Sequence, residues 1–413
     1  MDLIITLEYP PFKGGIANYC ENLKKYWPEP DNIFVLHNNE NKLINEKLPF
    51  LKWLPCLWYL WNEIKKHRIN HILVHHILPL GTAVYLISKI TKISYSIILH
   101  GTDLGVACSM RRKKWLAKKI LYNADNIICG SSYVASYVTK QFFSCHHAQI
   151  IVRPKNYKNI FFCHSRKSGN PGLIKFMDSR FRGNNKQGTF YNSKKSNKIT
   201  VINPGVNYIK YNSEYVTQIK KKYNLENKII LLSVGRLVKR KGFDKTIAAM
   251  PEVLKQVPNL IYVIWGHGSE AENLKQQAKN LKLNNILFLI NIADVDNKQK
   301  DALYNIADIF IMPARSIGQC DYEGFGIVYL EANIAGKPVI AGDSGGAQDA
   351  VSHGVSGLIV DPENATSIAN AIIKLCLDKG LRKKLGQQGK ERAINNFMWE
   401  EQIEKIFRIT HNA

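Results

Sequence analysis

Acidic residues are scarce: 33 Asp and Glu stand against 57 Lys and Arg in 413 residues, a formal net charge of +24. Such an imbalance ordinarily points to nucleic acid or an anionic membrane. Twelve of the cations, however, lie between residues 151 and 200 with the single acid Asp178, so about +11 belongs to one segment. No run of eighteen apolar residues is present, which excludes an expected spanning helix. The eight cysteines include no Cys-x-x-Cys pair, and in a large core-forming chain they read as reduced and cytosolic. Met1-Asp-Leu-Ile-Ile-Thr-Leu-Glu has no basic leader and runs straight into a strand pattern, so no signal peptide and a cytoplasmic protein are expected. The first glycine loop lacks the Gly-x-Gly-x-x-Gly spacing, which disfavours nicotinamide and flavin cofactors.

What is present is a chain long enough for two domains, with the 45% hydrophobic content of a globular protein. Apolar strand patterns at residues 2–7, 32–37, 71–75, 95–100 and 126–130 alternate with helical spacing, an α/β arrangement. Glu8-Tyr-Pro-Pro-Phe-Lys-Gly14-Gly15 then links the first strand to a helix, the opening of a doubly wound domain whose ligands bind at the carboxyl ends of its strands. The strand near residue 95 ends in His100-Gly-Thr-Asp103, an imidazole and a carboxylate at that same edge. After Ile202-Asn-Pro-Gly-Val, read as a hinge, strands at 228–234, 260–265, 286–290, 308–312 and 338–341 predict a second such domain. Gly235-Arg236-Leu-Val-Lys-Arg-Lys241 puts a forked donor and a compact charge on one loop, a pairing suited to a pyrophosphate; Lys239 and Arg240 are expected to be solvated.

Glu323-Gly-Phe-Gly-Ile-Val-Tyr-Leu-Glu331 organises the rest. Gly324 and Gly326 admit backbone that a Cβ obstructs, and Ile327, Leu330 and Ile334 recur at helical spacing. The first amides, of Gly326, Ile327 and Val328, are then free to meet an anion at the positive end of a helix. Glu323 precedes that helix and Glu331 lies about one and a half turns inside it, too far apart to bridge a metal but able to flank an elongated ligand whose phosphate sits between them. Spaced glutamates are also ordinary on helices.

This stretch resembles the two-glutamate signature of the retaining glycosyltransferases of family 4, and Pro-Pro-x-x-Gly-Gly, His-Gly-x-Asp, Gly-Arg-x-x-x-x-Lys and Gly-Gly-Ala-x-Asp resemble other motifs of that family. The resemblance implies the GT-B fold: two doubly wound, Rossmann-like domains facing a central cleft. The expected boundaries are residues 1–203 for the acceptor domain, 204–396 for the nucleotide-sugar domain, and 397–413 for a helix crossing back to the first. It implies a hexosyltransferase, closest in motif to GDP-mannose-dependent lipid mannosyltransferases, with the nucleotide-sugar as co-substrate and no metal or cofactor. By the same resemblance, Glu323 and His100 meet the hexose, Glu331 the ribose, and Arg236, Lys241, Gly15 and the helix amides the diphosphate, while Asp103 orients the acceptor. Where family members carry glutamate this chain has Asp349, and Ile290-Asn291 replaces a usual glycine.

Two stretches bear on a lipid or glycan acceptor: the tryptophan-rich 51–61, and 110–121, where cations flank Trp115, Leu116, Ile120 and Leu121. The second fits a helix on anionic lipid or a surface helix with a solvated basic face. From 155 to 198 periodicity fails, and the fragments His-Ser-Arg-x-Ser-Gly-Asn-Pro and Met-Asp-Ser-Arg-x-Arg-Gly-Asn resemble a translated palindromic repeat, an expected disordered insertion in a surface loop. Cys145-His146-His147 with Cys163-His164 match no common zinc spacing, and Asp294-Val-Asp296 lacks supporting metal ligands. Two alternatives remain: a UDP- or ADP-glucose enzyme of the same fold, and a decayed homologue whose basic insertion binds nucleic acid. Nucleic acid is disfavoured because the insertion lacks an aromatic platform. Salt-dependent RNA binding, lost on deleting residues 158–196 while no nucleotide-sugar binds, would favour the decayed reading.

Overall fold

The computed structural model describes residues 1–12, 14–48, 51–143, 198–290, 297–318 and 321–411. The expected insertion up to Asn197, the flanking Cys-His pairs and Asp294-Val-Asp296 lie outside the described residues.

Short apolar runs build two parallel sheets. The first consists of β1 (Asp2–Thr6), β2 (Ile33–His37), β3 (His71–Val74), β4 (Ser94–Leu99), β5 (Asn126–Cys129) and β6 (Lys198–Val201), in the order β2-β1-β3-β4-β5-β6. The second consists of β7 (Ile229–Val234), β8 (Leu260–Gly266), β9 (Ile286–Ile290), β10 (Ile309–Met312), β11 (Val339–Gly342) and β12 (Gly357–Val360), in the order β12-β11-β10-β7-β8-β9. Strands such as β1, β3, β10 and β11 are buried along their whole length, as continuous apolar runs must be when helices cover both faces. The ten strands read from the sequence agree with the structure to within a residue or two, and β6, at the end of the expected insertion, is an eleventh. The twelfth, Gly-Leu-Ile-Val, was not read as a strand; it pairs with β11 from Val339↔Gly357 to Gly342↔Val360.

Each sheet has one place where the chain reverses direction across it, between β1 and β3 in the first and between β7 and β10 in the second. A crevice opens at such a point, at the carboxyl ends of the strands. The loops after β1, β3 and β4 carry Glu8 to Gly15, His75 and His100; those after β7 and β10 carry Arg236 to Lys241 and Glu323.

The two sheets are joined by two adjacent passes of chain. Val206 donates its amide to the Phe397 carbonyl at 2.8 Å and bridges Met398. Gly205 lies so close to Trp399 that a Cβ would overlap the indole. From there the helix Trp399–His411 packs back on the first sheet, its Ile403 and Ile406 among Ile4, Leu73, Ile98 and Ile128.

Candidate active site

The loop after β7 is the floor of the site. Its turn Lys239–Lys241 is a single 3-10 turn, which sends successive side chains in different directions. Arg236 stays exposed, whereas Lys241 is buried with Nζ 2.6 Å from Glu323 Oε2. Arg240, expected in solvent, is only 7% exposed and reaches Asp321 at 3.3 Å. The cause is tertiary: its carbonyl accepts the Arg315 amide at 2.8 Å, and Arg315 in turn forks onto Asp244 at 3.0 and 2.8 Å, tying the cationic loop to the chain after β10.

Burial by itself would raise the Glu323 carboxyl, but Lys241, with Arg240 and Arg236 behind it, holds it below the ordinary carboxylate range. Burial pulls the Lys241 ammonium down, and Glu323 offsets that only in part. At neutral pH both members of the pair are charged.

The following helix runs from Ile327 to Ile334 and is capped by Gly326 at φ +87, a left-handed conformation that favours glycine. No side chain caps its first turn, so the amides of Ile327 and Val328 face outward from the helix start. Glu331, one and a half turns on, is buried. Lys300 Nζ lies 2.8 Å from its Oε1, and Tyr304 donates its hydroxyl to Oε2 at 2.7 Å. Burial opposes that charge, but Lys300 and the Tyr304 hydroxyl keep the carboxyl low.

The first domain supplies the opposite wall. His100 follows β4, and Gly101 turns at φ +109 into the helix Thr102–Cys108. The His100 carbonyl lies against Gly324, and a Cβ at that glycine would fall well inside contact distance of the oxygen. The imidazole turn and the first glutamate are therefore neighbours across the cleft, although 223 residues separate them in the chain. Gly15 opens the helix Gly15–Lys25 with no atom in the way of a Cβ, and Arg236 is near enough to draw down the Glu8 carboxyl, although burial still leaves it raised.

Asp103 is 7% exposed; Oδ1 accepts the Gly101 amide at 3.1 Å, and Oδ2 is buried without a hydrogen-bond partner. Burial pushes its pKa up to about 7, against the lowering effect of the surrounding backbone amides, that of Gly101 first. The folded state thus holds this proton more tightly than the unfolded chain, so stability from this group falls as pH climbs from about 4 to about 7. Asp103→Asn is expected to flatten that decline, measured as melting temperature from about pH 4 to about pH 8. Parallel curves for the two proteins would contradict it.

A second contact closes the cleft beside this pair. Asp349 accepts the Ser132 amide at 2.6 Å and its hydroxyl, and takes Asn203 Nδ2 at 3.3 Å. Its carboxylate thereby sits at the start of the helix Ser132–Phe142 in the first domain. Sequence reasoning missed this clasp, as it missed Lys300 and Tyr304 beside Glu331. The available signal was the Gly345-Gly346 pair; in the structure a Cβ at either would overlap the Glu323 or Gly324 carbonyl.

Two family profiles match in tandem: "Glycosyltransferase Family 4" over residues 13–154 and "Glycosyl transferases group 1" over residues 216–392. A GDP-mannose-dependent alpha-(1-6)-phosphatidylinositol monomannoside mannosyltransferase of Mycobacterium tuberculosis is 34% identical over 191 residues, 46% of this chain and 49% of that protein. The match thus spans about half the length of that relative. An uncharacterized glycosyltransferase of Methanocaldococcus jannaschii, MJ1178, is 25% identical across 99% of this chain and 97% of its own. Among solved structures, sucrose-phosphate synthase from Thermosynechococcus elongatus is similar with a TM-score of 0.72 at 19% identity, covering 100% of this chain and 98% of that one. Anabaena Alr3699/HepE in complex with UDP-glucose gives 0.72 at 17% identity, covering 100% of both chains.

Proposed function

The chain belongs to glycosyltransferase family 4, and from that premise we propose that it moves a hexose, mannose in the first instance, from a nucleoside-diphosphate sugar to a lipid or glycan hydroxyl with retention of configuration. The observation that carries this reading is the buried Lys241–Glu323 pair at 2.6 Å, with the His100 turn packed on the very next residue. A cation that binds phosphate and a carboxylate that reads sugar hydroxyls then share one point of the cleft.

In this reading Arg236, Lys241 and the amides of Gly326, Ile327 and Val328 hold the diphosphate, with Gly15 opposite. Glu331 takes the ribose hydroxyls, and Glu323 and His100 orient the hexose. Asp103 serves the acceptor side, where a hydroxyl would satisfy its unpartnered oxygen. The acceptor oxygen attacks the anomeric carbon on the face from which the diphosphate leaves. The bond to the leaving oxygen breaks, and that oxygen receives the acceptor proton. Stabilising the departing charge and fixing the reactants is then most of the catalysis, and the cations and amides suffice without a metal.

Mannose is preferred because relatives named as GDP-mannose-dependent share 34% identity, whereas the UDP-glucose-bound neighbour at 17% speaks only for the fold. A UDP- or ADP-glucose donor is the second reading. The deciding experiment presents GDP-mannose, UDP-glucose and ADP-glucose to the purified protein with a lipid extract and follows sugar transfer. Transfer from GDP-mannose is expected; turnover of a glucose donor instead selects the second reading, and turnover of none rejects both.

No helix among the described residues is long and apolar enough to cross a membrane. For a lipid acceptor we assign peripheral contact with the inner face of the plasma membrane. The helices Leu54–His67, Leu80–Thr91 and Arg111–Asn123 pack side by side and expose Trp58, Ile90 and Trp115 among lysines, with Lys119 over the Trp115 ring at 4.1 Å. Replacing Lys113, Lys118 and Lys119 by alanine is expected to weaken binding to anionic vesicles by about 1 kcal/mol per lysine. Unchanged cosedimentation would remove this face from the reading.

A further inference from the structure

We propose that His75 is a positioning residue that locks the ring of His100 in one tautomer, with its proton on Nδ1. The proposal rests on the assignment of His100 to the hexose but is tested first without any sugar.

His75 leaves the end of β3 with its amide bonded to the Ile5 carbonyl at 3.2 Å, and is completely buried. Its Nδ1 lies 3.0 Å from His100 Nε2, and the two rings are nearly coplanar, 12° apart. Tyr19 meets both rings edge-on, at 5.6 and 4.8 Å, and is itself held by Trp399 of the returning helix at 5.1 Å. Neither imidazole has room to turn without displacing these aromatics.

A nitrogen–nitrogen contact of this length holds a single proton, and neither ring is cationic: burial, the larger cause for both, keeps His75 well below its ordinary range and His100 at about 3. Two arrangements remain. If His100 donated from Nε2, the proton of neutral His75 would sit on its own Nε2, which is buried without a hydrogen-bond partner. An orphaned N–H in the interior is among the rarest and costliest polar defects. If His75 donates from Nδ1 instead, only a bare ring nitrogen is left at that spot, and His100 carries its proton on Nδ1. The neighbouring His76 does not alter this choice, because its Nδ1 faces the Leu7 amide at 3.5 Å. His100 then offers an N–H rather than a lone pair, so it recognises an acceptor oxygen on the hexose. Fixing a tautomer through the other ring nitrogen is a general means of setting what a histidine does.

The test begins with ring-nitrogen NMR of the full-length protein, free of donor. The expected spectrum shows His100 protonated at Nδ1 and His75 at Nδ1; a His100 proton on Nε2 overturns the proposal whatever the protein transfers. Kinetics follow, with whichever of GDP-mannose, UDP-glucose and ADP-glucose the protein turns over. His75→Leu is expected to lower kcat about 10- to 100-fold while leaving the donor KM within about twofold. His75→Asn, whose amide nitrogen takes the place of Nδ1, is expected to restore the Nδ1–H form of His100 and most of the turnover. Should His75→Leu fail to fold, His75→Asn still decides the matter, since loss of turnover with the tautomer retained refutes the positioning role. Normal kcat in a folded His75→Leu refutes it too.

Discussion

Glu323→Gln is expected to lower turnover about 10²- to 10³-fold while the protein remains folded. The glutamine keeps the shape and one acceptor oxygen for Lys241 but loses the charge that Lys241 has offset. Glu323→Ala is expected to show the same loss together with a lower melting temperature, because the buried Lys241 is left without a partner at a cost of about 3–5 kcal/mol. The two cations separate by their surroundings. Arg236 is exposed, so Arg236→Ala should weaken nucleoside-diphosphate binding about tenfold or more and leave the fold intact. Lys241→Ala removes the proposed phosphate ligand and also leaves Glu323 alone in the interior, so affinity, turnover and stability should fall together. Calorimetric binding, initial rates and thermal melts on the set distinguish these patterns. Wild-type turnover in Glu323→Gln would end the role assigned to that carboxylate.

Gly324→Ala should abolish transfer, by at least about 100-fold, while the second domain still binds nucleoside diphosphate. The added methyl has nowhere to go: the His100 carbonyl occupies its place, and backbone on both sides cannot yield as a flexible side chain would. The outcome is a cleft held open at the point where the imidazole turn meets the first glutamate. Because a small misplacement of reacting groups is costly, a wedge of one carbon suffices. Donor affinity falling in parallel with transfer would instead show that Gly324 shapes the donor site itself.

Much of this architecture was legible from the chain. Alternating apolar strands and helical patterns specify their own type locally, since a strand buried on both faces must be apolar throughout. Glycines at 324 and 326 and the cations after β7 announced loops at the carboxyl ends of the strands. By contrast, Arg240 and Lys239 look alike in sequence, and tertiary contacts, the Arg315 amide on the Arg240 carbonyl and Asp321 on its guanidinium, separate the buried cation from the solvated one. Asp349 read only as a replacement for the family's glutamate; that it clasps Ser132 across the cleft is seen in the structure alone.

The sequence by itself determined two α/β domains and the chemical types at their loops: carboxylates, cations, glycines and one histidine turn. Hydrophobic periodicity and backbone permissiveness act between near neighbours, and near neighbours are what a sequence displays. Which charges pair was decided only by the tertiary structure. Lys241 finds Glu323 and His75 finds His100 because the parallel strand order brings distant loops to one edge, and Lys300 and Tyr304 find Glu331 because two helices of the second domain meet. The charge and tautomer of a buried group depend on what surrounds it in space, and chain spacing does not record that.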